Sequence, residues 1–390
     1  MMRNIPIILI SVVLYACSSG PAVDQSSCAY ARYFDIIRLP DHASAPHDSI
    51  DALVIISPYG AASDTLRLDR VYDNIICMSS SHVAALAEIG ADSCISAVSG
   101  IRYISNPALR DRYARTEWSR GGSQKRAIPL AAGGGARSEG VGGVLLGPSL
   151  RPLYDIGYEA TLDYEKVMEL DPDILLTYAV SDIEAPYVTK LRSLGVPVMI
   201  LSDHLEHHPL ARAEYIRLFG VLTGRKELAD SLFNGIVSRY DSLASAVHET
   251  RRQVLMNIPY SDVWYVPGSD GYMSQLVRDA GGEILGTAPG TSSGVITLEQ
   301  AYALSQKADV WLNPGHCRSI DELSRVHQLF RHFGPVADSL PIYNNTLRIT
   351  PEGGNDFWES GSVRPDRILE DLSRIFAEKK DSLNYFFRLD

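Results

Sequence analysis

Two short stretches concentrate the side chains capable of chemistry. Asp203-His204-Leu205-Glu206-His207-His208 sets three imidazoles and two carboxylates within six residues, a metal-ligand composition. No matching distant ligand accompanies it, so a zinc or metal-ion receptor is an alternative reading and not the leading one. Ser79-Ser80-Ser81-His82 follows an apolar run and opens a helical pattern. Backbone N–H groups at a helix start favour anions, and serines there also serve simply as N-caps. Both roles fit Ser80 and Ser81. His82 could donate to a carboxylate, ligate a metal, or be structural. No catalytic constellation stands beside these stretches: the chain has no H-E-x-x-H and no phosphate loop. Twenty tyrosines supply the aromatic, hydrogen-bonding surface of a binding cleft. The chemistry is that of a binding protein, not an enzyme.

The compartment follows from the first residues. Arg3 precedes a largely apolar run from Ile5 to Tyr15, which is too short for a stable membrane anchor. The run ends in Leu14-Tyr15-Ala16-Cys17, which resembles a bacterial lipobox with Cys17 as the acylated residue. Residues 1–17 therefore read as a lipoprotein signal, and the mature chain as exported and lipid-anchored in the periplasm or cell envelope. Cys28, Cys77, Cys94 and Cys317 remain, without a C-x-x-C pair. They allow three full disulfide pairings, or four buried thiols. Net charge is −11, which argues against a nucleic-acid binder. Residues 101–151 run against that balance, with nine Lys/Arg against three Asp/Glu.

The elements that must position these groups are α/β. Residues 18–70 read as a tether and a small β meander. Residues 71–208 alternate strand and helix, beginning with the strand Asn74 to Met78, the helix His82 to Ile89 and the strand Cys94 to Val98, the pattern of a parallel sheet. Residues 107–152 interrupt it with glycine pairs and little periodicity, and read as an inserted basic loop. Residues 209–248 read as two helices in tandem, forming a spine between two lobes. Its second helix, Lys226 to His248, would be roughly 34 Å long. Residues 249–390 resume the alternation as a second lobe.

The halves echo each other. Thr161 to Leu170 leads to Asp173-Ile174-Leu175-Leu176, and Val295 to Leu304 leads to Asp309-Val310-Trp311-Leu312. Asp163 and Thr297 are the expected N-caps, the latter in a capping box with Gln300. With Leu194 to Val198, Phe219 to Gly224, Phe357-Trp358-Glu359 and Arg364-Pro365, these motifs resemble the periplasmic substrate-binding proteins of ABC importers for iron–siderophore complexes, haem and cobalamin. The resemblance covers roughly Val71 to Phe376. It implies two Rossmann-like lobes joined by a single long backbone helix, with the ligand in the cleft between them. It further implies that Glu165 and Glu299, one per lobe, dock onto a permease dimer served by a cytoplasmic ATPase. The two matched acids suit a two-fold symmetric partner, although acids in a first helical turn also serve the helix dipole. The protein itself is expected to be a monomer without an intrinsic cofactor. Ligands of open α/β sheets collect beyond the carboxyl ends of strands. The candidates there are Ser80, Ser81, His82, Tyr103 and Tyr178 on the first lobe, with Tyr260, Trp264, Asn313 and Trp358 on the second. A metal-handling enzyme on the same scaffold and a scaffold or adhesion lipoprotein are the competing classes.

Overall fold

The computed structural model describes residues 27–40, 49–59, 64–119, 151–246, 251–379 and 382–390. Cys17 and its leader, the tether before Ser27, and residues 120–150 of the insertion lie outside the described residues. No helix among the described residues is long and apolar enough to cross a membrane.

The chain opens with an antiparallel meander, β1 (Phe34–Pro40), β2 (Ser49–Ile55) and β3 (Asp64–Arg67). Alternation puts Phe34 and Ile36 of β1, and Leu53 and Ile55 of β2, into the core. The Phe34 ring meets Tyr215 at 4.6 Å. The preceding segment is strapped down by two buried carboxylates: the N–H groups of Ala29, Tyr30 and Ala31 donate to Glu214, and those of Arg32 and Tyr33 donate to Glu206. Backbone N–H groups without a helix or sheet partner need such acceptors.

The first lobe is built from β4 (Ile75–Cys77), α1 (Ser80–Glu88), β5 (Ile95–Val98), α2 (Pro107–Ser119), β6 (Tyr154–Asp155), α3 (Tyr164–Leu170), β7 (Ile174–Tyr178), α4 (Pro186–Ser193) and β8 (Val198–Leu201). Its strands form one parallel sheet in the order β6-β5-β4-β7-β8. The central strands are buried along their whole length, as a sheet covered on both faces requires. The connections after β4 and β7 leave in opposite directions, which opens a crevice between their carboxyl ends. Residues 107–119 of the expected loop are a helix. The inward face of α2 is Leu109, Arg112 and Thr116, so two polar residues conceal the apolar period. Arg112 donates to the carbonyls of Asp92 and Ile95.

The spine is two successive helices separated at Gly224, as expected, and they pack antiparallel. α5 (Pro209–Leu222) and α6 (Lys226–Ala244) fold back on each other around Gly224, whose φ is +68°. Arg217 meets Asp230 at 2.7 Å, a Cβ on Gly220 would fall 2.3 Å from that of Ala229, and His208 lies against Tyr240. α6 runs from one lobe to the other. It starts beside Ile89 and Gly90, whose carbonyls accept from Arg225, and reaches Asp279 through Tyr240. Its 19 residues span roughly 28 Å, shorter than expected.

The second lobe comprises β9 (Arg252–Met256), β10 (Trp264–Val266), α7 (Tyr272–Asp279), β11 (Gly282–Ile284), β12 (Gly294–Ile296), α8 (Leu298–Ser305), β13 (Val310–Leu312), α9 (Ile320–Val326), α10 (Gly334–Ala337), β14 (Ile342–Asn344), α11 (Ser360–Val363), α12 (Pro365–Phe376) and β15 (Phe387–Arg388). The main sheet runs β11-β9-β13-β14-β15 and is parallel except for β15, while β10 and β12 pair separately. Polar clasps hold the lobes together, two of them built on buried acids. Arg364 binds Glu88 of α1 at 2.8 Å and buried Asp366 of α12 through both carboxylate oxygens, and so braces the last helix. Glu359 accepts from the N–H groups of Ser105 at 2.6 Å and Asn106 at 2.9 Å.

Candidate functional site

A cavity of about 620 Å³ lies at the carboxyl ends of β4, β5 and β7. Ser79 and Ser80 follow β4, Ser99 and Tyr103 follow β5, and Tyr178 closes β7. Tyr158 and Glu159 precede α3, and His204 follows β8. The strand order places these chain-distant residues together, so the crevice between β4 and β7 becomes a pocket.

One wall is an aromatic pair held by a cation. Tyr103 and Tyr158 lie 5.8 Å apart. The Arg102 guanidinium sits 4.8 Å from one ring centroid and 5.3 Å from the other, and its Nε donates to Tyr158 Oη at 2.9 Å. That contact raises the guanidinium, while burial raises the Tyr158 phenol against it. Gly100 makes the wall possible: its φ is +71°, and a Cβ there would fall 2.4 Å from Tyr158 Oη. Asp155 fixes the turn by accepting from the N–H groups of Gly100 and Ile101.

The opposite wall is Tyr178, edge-on to His204 at 5.8 Å. Burial, followed by the Glu159 carboxylate, pushes the Tyr178 phenol up. Burial lowers His204, against the pull of Asp203, and leaves the imidazole neutral at pH 7. Asp203 lies behind the serines and is buried. Burial alone would raise its carboxyl. The neighbouring His82, with hydrogen bonds from His82 and Ser81, outweighs that and holds it well below the usual carboxylate range. Among the described residues, no three His, Cys, Asp or Glu side chains converge on a metal position. The histidines of residues 203–208 diverge: His208 accepts from Leu210 N and stacks on Tyr30 at 5.1 Å.

The cavity brings together Ser80, Tyr103 and Tyr178 of the expected residues. His82 is 1% exposed, beneath Phe219, with Nε2 turned to Asp203 and not to a ligand. The Ser81 hydroxyl is committed to Asp203. Trp264 is 1% exposed, stacked against Trp311 and Phe333, with Nε1 donating to Met256 O, so it is core and not wall. Both misplacements have one cause: proximity in sequence to a strand end does not say which face a side chain takes. Tyr260 and Trp358 are exposed, and Asn313 sits just after β13 with a left-handed φ of +58°. None of these three lines the cavity. Ser79, from the serine run at the start of α1, also lines the cavity, together with Tyr158, Glu159 and His204, which the strand order brings there. Glu165 and Glu299 are exposed in the first turns of α3 and α8, behind the N-caps Asp163 and Thr297 as expected.

A model of the periplasmic binding protein family matches residues 127–333, more than half of the chain. The chain belongs to the periplasmic binding protein family. Its members bind solutes, so the chain is a binding protein and not an enzyme. A periplasmic binding protein of Veillonella parvula superposes with a TM-score of 0.56 at 12% identity, covering 86% of this chain and all of that one. A periplasmic haem-binding protein of Vibrio cholerae gives 0.52 at 15% identity, over 76% and 97%. A possible iron-binding solute-binding protein of Staphylococcus epidermidis gives 0.52 at 15%, over 79% and 99%. At these identities the likeness is one of fold: two α/β lobes around a cleft. An uncharacterized lipoprotein of Methanocaldococcus jannaschii is 22% identical over 243 residues, 60% of this chain. The match spans 56% of that relative's length, little more than half.

Proposed function

We propose that this periplasmic binding protein captures a metal chelate (a ferric siderophore, haem or cobalamin) in the interlobe cleft and hands it to an ABC permease. The observation that carries the reading is the tyrosine-walled cavity at the β4/β7 crevice, whose size and aromatic lining suit a broad, flat ligand. Solved relatives of the same fold include a haem-binding and a possible iron-binding protein, which supports the class. Glu165 and Glu299 then serve as permease contacts, and Cys17 as the lipid anchor that keeps a monomeric receptor at the membrane. The lipoprotein relative supports the anchor.

The test is calorimetric titration of the purified protein with hemin, cyanocobalamin and ferrioxamine B, repeated with Tyr103→Ala and Tyr178→Ala. Saturable binding of one chelate, weakened at least tenfold in either variant, is the expected result. Three flat titrations with folded protein would overturn the reading. For docking, Glu165→Ala combined with Glu299→Ala should abolish chelate uptake by cells while leaving affinity in solution unchanged. Unimpaired uptake would remove both glutamates from the permease contact.

A further inference from the structure

Ser79 carries a hydrogen-bond polarity that its sequence neighbourhood does not reveal. It is the N-cap of α1 and has a cap's extended backbone, yet its side chain makes no cap bond. Its hydroxyl instead lies 2.8 Å from Ser81 Oγ, which in turn donates to Asp203 Oδ2 at 2.6 Å. A hydroxyl has one proton to give, and an ionised carboxylate only accepts. Ser81 spends its proton on Asp203, so the proton between the two serines belongs to Ser79. That leaves Ser79 only lone pairs to offer the cavity it lines. His82 Nε2 faces the other carboxylate oxygen at 3.3 Å and therefore carries the ring proton.

The surrounding charges point the same way. A helix N-terminus ordinarily attracts an anion, but beside the first turn of α1 Asp203 already supplies one, bonded to Ser81 and His82. Glu159 is the one acidic side chain among the residues lining the cavity, and His204, also lining it, is neutral at pH 7. Arg102 is tied to Tyr158 and does not line the cavity. A ligand carboxylate brought to Ser79 would meet a lone pair there, in a cavity that also holds the Glu159 carboxylate; the cavity's hydroxyl donors are on other residues, Ser80, Tyr103 and Tyr178.

We propose that Ser79 is a fixed hydrogen-bond acceptor in the cleft, set by Asp203 through Ser81, and that it selects chelates with N–H or O–H donors at their rim over chelates rimmed by carboxylates. The inference rests on the metal-chelate reading and names the ligand class within it. Titration with cyanocobalamin and ferrioxamine B, which carry amide N–H groups, is compared with hemin, which carries carboxylates. The wild type should bind one of the amide-bearing probes more tightly than hemin. Ser79→Ala should weaken that probe about five- to tenfold, the range of one neutral hydrogen bond, and leave hemin unchanged. Asp203→Asn should reverse the relay. With His82 holding the amide oxygen, the amide nitrogen donates to Ser81, and Ser79 turns its proton to the cavity, so the preference moves toward hemin. Should Asp203→Asn fail to fold, Ser81→Ala decides instead, since it frees the Ser79 hydroxyl to donate and relaxes the preference in the same direction. A wild type that prefers hemin, or a Ser79→Ala variant that leaves the ratio of affinities unchanged, overturns the inference while the parent reading stands. Failure of all three probes to bind overturns the parent reading and this inference with it.

Discussion

Replacing Glu359 with Gln should flatten the dependence of stability on pH. Glu359 is 2% exposed, and its two oxygens accept from Ser105 and Asn106 of the opposite lobe. Burial pushes its carboxyl from 4.5 up to about 7. The N–H groups of Ser105 and Asn106 pull it back only in part, and the Asp356 charge pushes it further. The folded value stands above the unfolded one, so this group's stabilisation is complete below about pH 4.5 and is lost as pH rises through about 7. At about 1.4 kcal/mol per pKa unit, the loss approaches ~3 kcal/mol by pH 8, a large share of the roughly 5–15 kcal/mol that holds a domain folded. Glutamine keeps the shape and cannot ionise. Its NH₂ must face one of the two backbone donors, a cost that does not vary with pH and drops out of the comparison. Urea unfolding at several pH values from about 4.5 to about 8.5 measures the effect. The wild type should lose up to ~3 kcal/mol relative to Glu359→Gln across that range, about half of it by about pH 6 and most of it by about pH 7. Parallel profiles would refute the reasoning, since they would mean that the carboxylate is hydrated and the interlobe contact open.

Arg364→Leu should cost about 3 kcal/mol in the same assay, because it strands Glu88 and leaves buried Asp366 with Arg239 alone at 3.6 Å. Arg364→Lys should recover only part of this, since one ammonium cannot span both carboxylates as the guanidinium fork does. The Cys28 and Cys77 thiols are pushed upward mainly by burial, Cys28 to about 12. Both should resist a thiol reagent in the native protein and react promptly in denaturant; rapid native labelling of either would contradict the packing around them.

The legible parts of the fold were those with strong local signals. The meander alternates cleanly over β1 and β2, α3 and α8 announce themselves through Asp163 and the Thr297–Gln300 capping box, and α12 begins at Pro365. The helix α2 was hidden because its buried face carries Arg112 and Thr116, polar residues satisfied by carbonyls rather than by apolar burial. Of the candidate site, Ser80, Tyr103 and Tyr178 line one cavity because all three stand at the carboxyl ends of parallel strands, whereas His82 and Trp264 were assigned to the cleft and lie in the core.

By itself the sequence determined the class of the protein: alternating strands and helices, two matched halves and acids at two helix starts. These are local or periodic properties, set by propensity, capping and composition within a few residues. Tertiary structure alone decided that α5 and α6 double back and that a loop of the second lobe clasps Ser105 and Asn106. It alone brought Ser79, Tyr158, Glu159 and His204 to one cavity. Each of those outcomes depends on which elements become neighbours and which way a side chain turns once packed, and the cooperative burial of the whole chain sets both.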